Sequence, residues 1–228
     1  SPSVIFEDNH LLVLNKPAGW LVQGDKTGDV TLTDWGKDYL KQKYDKPGAV
    51  FLHPVHRIDR PVSGAIVLTR TAEALRSMSD LFADQRVDKT YLAIVEGRLE
   101  GERTLEHHLV HDARAYKART VAAPQKGSAL ARLKVKEVTL GERYTLVEVR
   151  PEGGRFHQIR AQLSAAGHPI KGDVKYGARR GEPDRSVALH AYTLRFPHPL
   201  SVLLLEVEAP VPATGLWSRL WPAGRGPA

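Results

Sequence analysis

Between Ser128 and Val138 the chain reads SALARLKVKEV, and its side chains alternate. In an extended chain Ala129, Ala131, Leu133 and Val135 fall on one face, and Arg132, Lys134 and Lys136 on the other. That pattern predicts a strand with one buried face and one wet, basic face, which suits an antiparallel sheet solvated on one side. Any fold for this chain is therefore built around a sheet.

Other segments extend it. VIFEDNHLLVLNK (4–16) reads as two short strands about an Asp-Asn turn. AIVLTR (65–70), YTLVEVRP (144–151), SVALHAYTLRF (186–196) and LLLEVEAP (203–210) supply further strands. KTYLAIVEG (89–97) sets Tyr91, Ala93 and Val95 on one face and Leu92 and Ile94 on the other. EHHLVH (106–111) also reads as a strand. TLTDWGKDYLKQKY (31–44) is predicted helical, with Thr31 and Asp34 as a capping box. TAEALRSMSDLFADQ (71–85) places Leu75, Met78, Leu81 and Phe82 on one helical face. EGGRFHQIRAQLSAAGHP (152–169) predicts a Gly-Gly loop and then a helix with a stripe of Ile159, Leu163 and Ala166, stopped at Gly167. PGAVFLHPVHRIDRPVSG (47–64) and DARAYKARTVAAPQKGS (112–128) read as loops, the second long and basic.

Most strands follow one another through short turns, so the expected class is α+β: a mixed, mostly antiparallel central sheet with flanking helices. Length fits one domain over 1–228, or two subdomains sharing a sheet, with a Pro/Gly-rich tail from 210. The absence of cysteine excludes disulfides and thiolate zinc sites, and accords with a cytoplasmic setting. No apolar run reaches the roughly 18 residues of a membrane span. The net charge of +7 is spread over many segments, which points to a polyanionic partner met by a surface that the fold assembles.

Two segments can carry chemistry. HPVHRIDRPVSG (53–64) sets one acid, Asp59, between Arg57 and Arg60, after His53 and His56. Two nearby guanidinium groups would favour the ionised carboxylate, suited to a nucleophile or base rather than a general acid. GGRFHQIR (153–160) offers free backbone N–H groups where a helix begins, with His157 and Arg160 on one helical face. Each segment alone is equally consistent with solvated charges and a helix cap. His107, His108 and His111 lack the helical spacing of a metal pair, so no metal is expected.

HRIDRPVSG, KTYLAIVEG, GRFHQIRAQLSAAGHPIKGDVKYG and LHAYTLRFPHP stand in an order and spacing that resembles RNA pseudouridine synthases of the RluA type, from about residue 4 to 209. The resemblance implies a catalytic cleft in the sheet, Asp59 as the essential aspartate, Tyr91 stacking on the target base and Arg160 pairing with Asp59. It places Arg57 beside the extruded nucleotide. Arg60, His56, Arg155, His157 and Gln158, in the same two segments, are candidate substrate contacts. It also implies RNA, ribosomal or transfer, as partner; an isomerisation that conserves atoms needs no cofactor, and a monomer is the default expectation. The chain departs from the pattern at Phe156, where Thr is common, and at Val62 in PVSG. The small RNA-binding domain that precedes many relatives does not occur in this sequence. A non-catalytic RNA-binding module and a base-releasing nucleoside hydrolase or glycosylase are the alternatives. The first explains the charge but not the Asp-Tyr-Arg set. The second would ordinarily want two carboxylates around a water.

Overall fold

The Asp8-Asn9 turn closes a hairpin between β1 (Ser3–Glu7) and β2 (Leu11–Lys16), with Asp8 Oδ1 accepting the N–H groups of His10 and Leu11 at 2.8 Å. In this computed structural model, which describes residues 1–223, the hairpin begins the first of two compact units. That unit comprises Ser1–Lys89 and Ala191–Pro210. β2 pairs antiparallel with β4 (Ser63–Thr69), and the short β3 (His53–Pro54) also pairs with β4. Next to β4 runs β10 (Leu189–Pro197), which returns antiparallel as β11 (Leu204–Glu208).

Two helices cover this part of the sheet. α1 (Leu32–Tyr44) starts at the predicted capping box, in which the Thr31 side chain accepts from Asp34 N–H and the Asp34 carboxylate accepts from Thr31 N–H. α2 (Ala72–Ala83) begins at Thr71 and buries Ala74, Met78 and Leu81 against Leu11, Val13, Val67 and Phe196. Leu12 and Leu14, on the opposite face of β2, reach toward Gly36 of α1. β2 is thus buried on both faces, and each such Leu contributes roughly 2 kcal/mol of burial.

Gly64 shows why PVSG ends in glycine. Its φ is +128°, and a Cβ there would lie 2.3 Å from the Ala191 carbonyl oxygen and 2.5 Å from its nitrogen. β4 and β10 approach too closely for any side chain. Gly64→Ala is expected to lower stability by about 3 kcal/mol or more, read as a lower urea midpoint at unchanged slope. A midpoint equal to the parent's would refute this close approach.

The second unit holds Thr90–His190 and the chain from Val211. Its strands are β5 (Asp88–Glu96, from Thr90), β6 (Glu102–Asp112), β7 (Lys117–Val121), β8 (Ser128–Thr139) and β9 (Tyr144–Glu152). They lie in the order β5-β9-β8-β6-β7, antiparallel throughout. β8 buries Ala131, Leu133 and Val135 while Lys134 and Lys136 are exposed, as its alternation predicts. α3 (Gln158–Ala165) packs on this sheet, and α4 (Leu216–Leu220) is one short turn near the chain end. Class and layout agree with the α+β expectation.

Two local readings fail. Residues 112–128 are not one loop, because Lys117–Val121 pairs with β6 across a tight turn at residues 113–116. The strand was hidden because Ala118, too small to mark a hydrophobic period, is its one fully buried residue. α3 has no single apolar stripe: Gln158, Arg160 and Gln162 are as buried as Ile159 and Leu163. Gln158 and Arg160 bond protein groups there, as does Gln162 through Nε2, while Gln162 Oε1 is buried without a partner.

Candidate active site

Asp59 sits at the start of a turn, half-buried, with its carbonyl accepting the Val62 N–H at 3.0 Å. Ile58 and Val62 on either side point inward and are buried. The turn is tied to Lys16-Pro17-Ala18-Gly19 at the end of β2. The Arg60 carbonyl accepts from Gly19 N–H at 2.8 Å and from the Lys16 ammonium at 3.0 Å, and the same ammonium donates to the Pro17 carbonyl at 3.0 Å. Glycine at 19 permits the φ of +95° that this contact requires.

Lys16 is wholly buried. Burial pushes it down to about 7, opposed by the Asp59 charge and assisted by Arg60. A fully buried lysine beside a carboxylate is costly and seldom only structural. Arg60 is engaged elsewhere than at Asp59. Its guanidinium turns to the Gly19 carbonyl (2.8 Å) and to Asp29 (2.7 Å), bracing the turn from its outer side. Lys16, buried in the same unit, feels the Asp59 charge. Arg57 is exposed.

His56 serves the scaffold. Its ring stacks on Phe82 at 4.6 Å, and Nε2 accepts the Val67 N–H at 2.8 Å. Burial, with a smaller push from Lys89, lowers His56 to about 3. The folded state therefore refuses a proton that the unfolded chain accepts below 6.5. The stability due to neutral His56 is complete above 6.5 and is lost as pH falls toward 3. Between neutrality and about pH 4 this loss should be on the order of 3 kcal/mol. Urea midpoints measured across that range should fall for the parent and change less for His56→Gln. Parallel curves would refute it.

The second unit holds Tyr91 and the GRFHQIR segment. Tyr91 lies opposite Val149 on β5 and is half-buried, while Leu92 to Val95 are wholly buried. Arg160 is 7% exposed and binds Asp173, 1% exposed, bidentately: Nε to Oδ2 at 2.8 Å and Nη2 to Oδ1 at 2.8 Å. Its Nη1 lies 3.4 Å from His157 Nε2. A guanidinium only donates, so Nε2 accepts and His157 Nδ1–H donates to the Tyr176 oxygen, 2.6 Å away, which also accepts Ala118 N–H at 2.8 Å. Gln158 closes the loop before it: Oε1 accepts Arg155 N–H at 3.1 Å, and Nε2 donates to the Arg132 carbonyl at 3.0 Å. Gln158 and His157 thus hold the segment in place, and the Arg155 side chain stays exposed.

The structure therefore places Asp59 and Arg60 together in one unit, and His157, Gln158 and Arg160 together in the other. Sequence reasoning singled out none of Lys16, Asp173 and Tyr176 as site residues, although the last two lie in a stretch that carries the resemblance. The signal for Lys16 was a lysine closing a largely apolar strand before a proline, and for the other pair the KGDVKYG stretch. His107 turns its ring to Gln162 Nε2 at 3.0 Å. Among the described residues no three His, Cys, Asp or Glu side chains are grouped as a metal site would need.

The first unit thus offers a half-buried aspartate on a turn pinned by a buried lysine, and the second a buried arginine held by Asp173. The family model described as RNA pseudouridylate synthase matches residues 10–165. The chain belongs to the RNA pseudouridine synthase family, whose members are isomerases. It is 34% identical over 211 residues to an uncharacterized RNA pseudouridine synthase, YhcT, of Bacillus subtilis, over 92% of this chain and 68% of that protein. It is 34% identical to ribosomal large subunit pseudouridine synthase C of Escherichia coli, over 91% of this chain and 66% of that protein. It thus spans about two thirds of the length of these curated relatives. The solved structure of human RNA pseudouridylate synthase domain containing 1 matches at TM-score 0.78 and 26% identity, over 97% of this chain and 88% of that one. Its human counterpart domain containing 4 shares the fold, at TM-score 0.76 and 24% identity over 92% of this chain.

Proposed function

We propose that this chain isomerises particular uridines of structured RNA, ribosomal or transfer, with Asp59 as the essential carboxylate, Tyr91 stacked on the base and Arg160 as the basic partner of Asp59. The observation that supports this most is the pinning of the Asp59 turn by buried Lys16 and by Gly19, which holds one carboxylate in a fixed place. The reaction breaks N1–C1′, turns the base and joins C5 to C1′; C5 loses a proton and N1 gains one, so atoms balance without water or cofactor. Asp59 either attacks C1′ or removes the C2′ proton, and both routes use an anionic carboxylate. The base leaves its stack first, at a cost of a few kcal/mol, which Tyr91 and basic side chains offset. Exposed Arg57 is suited to fill the gap left behind. The whole chain is read as one catalytic domain, monomeric and cytoplasmic.

Uridine-labelled RNA incubated with the protein tests the reading. Carbodiimide-dependent reverse-transcription stops without free uracil are expected. Released uracil would favour a glycosylase, and neither product would favour a binding module. Tyr91→Phe should keep most activity and Tyr91→Ala should lose about 10- to 100-fold, the worth of one base stack. Equal rates for the two variants would remove Tyr91 from this role.

A further inference from the structure

Phe156 stands where the family commonly has Thr, and it is the centre of a ring cluster confined to the second unit. It stacks on His157 at 3.9 Å and 15°, lies 4.1 Å from the ring of His111, and meets the edge of Tyr116 at 5.2 Å. His111 is exposed, Phe156 is partly so, and Tyr116 is 62% exposed. Tyr116 sits at the tip of the β6–β7 hairpin with φ +47°, a region that residues with a Cβ rarely occupy. Lys175 holds it there: the ammonium donates to the Tyr116 carbonyl at 2.6 Å and lies 5.0 Å from its ring centre. Arg114 and Arg155 are exposed nearby in sequence, and Lys117 follows the tip. An outward ring, strained and braced, amid cations is poor economy for a loop and good design for a flat anionic ligand.

We propose that the exposed rings of Tyr116 and His111, packed on Phe156, form a shelf on which a second, unpaired nucleobase of the RNA stacks, its phosphates met by Lys117, Lys175 and Arg114. Aromatic rings take any base face, and cations track the backbone, as in single-strand binders. The shelf is joined to the catalytic arginine by contact, since Phe156 stacks on His157 and His157 Nε2 lies 3.4 Å from Arg160. The RNA ligand rests on the proposed function; the shelf's stacking does not.

The test is anisotropy of a fluorescein-labelled oligoadenylate of about 12 nucleotides, within the span a single-strand module covers, against an abasic oligomer of equal length. Tyr116→Ala should weaken oligoadenylate binding about 5- to 50-fold, with Tyr116→Trp equal to or tighter than the parent. Phe156→Leu, which keeps apolar packing, should weaken it also. None of these changes should alter binding of the abasic oligomer. Binding within twofold of the parent for Tyr116→Ala, equal losses on the abasic oligomer, or no binding by the parent would each overturn the shelf. Tyr116-dependent binding by a protein that makes no pseudouridine would sink the isomerase reading and leave the shelf standing. Pseudouridine formation with Tyr116-independent binding would do the reverse.

Discussion

Asp59→Asn is expected to give a folded, RNA-binding protein whose pseudouridine yield in single turnover falls on the order of 10⁴-fold or more, the scale at which removal of a reacting group registers. The amide keeps the shape of the side chain, and the turn is held by backbone groups of Asp59, Arg60 and Gly19 and by the Lys16 ammonium, none of which the substitution touches. Unchanged circular dichroism with lost product is therefore the expected pair. Turnover at the parent rate would end the assignment. The variant carries an internal control in Lys16. The unfolded chain binds the lysine proton up to 10.5 and the folded chain only up to about 7, so stability rises with pH across that window. The Asp59 charge raises Lys16, so Asp59→Asn should move the lower edge of the window to more acidic pH. An unmoved edge would mean that the two groups do not interact.

How far the sequence disclosed this arrangement depends on what kind of force made each part. Elements built by periodic burial were readable: the β8 alternation, the α2 face and the α1 capping box all depend on short-range patterns. β7 escaped because its inward residue is an alanine, and the buried polar face of α3 escaped because Gln158 and Gln162 look solvated until their backbone acceptors on β6 and β8 are in place. The same limit applied to charge. Sequence adjacency suggested that Arg60 faces Asp59, yet its guanidinium turns to Asp29, some thirty residues earlier in the chain. Lys16 lies far from Asp59 along the chain and interacts with it in the fold. Local motifs marked the acid; long-range packing brought Lys16 within reach of its charge.

The same reasoning makes Asp173 the most consequential residue to which the sequence reading gave no role. Asp173→Ala is expected to cost about 3–5 kcal/mol, because it leaves the 7%-exposed guanidinium of Arg160 without its bidentate acceptor. Thermal or urea unfolding reads that loss directly, and a change under about 1 kcal/mol, the value of a surface pair, would show that the contact is not a desolvated one. Activity separates structure from chemistry. Replacing both partners by apolar residues of similar bulk, Arg160→Met with Asp173→Leu, removes the stranded charge and should recover most of the stability. It should not recover pseudouridine formation, because Arg160 is proposed to act on Asp59 through its charge. A double variant that is both stable and active would reduce Arg160 to a packing residue. A double variant that is stable and inactive would show that this buried pair is kept for the reaction, with Asp173 holding the arginine where its remaining N–H groups are needed.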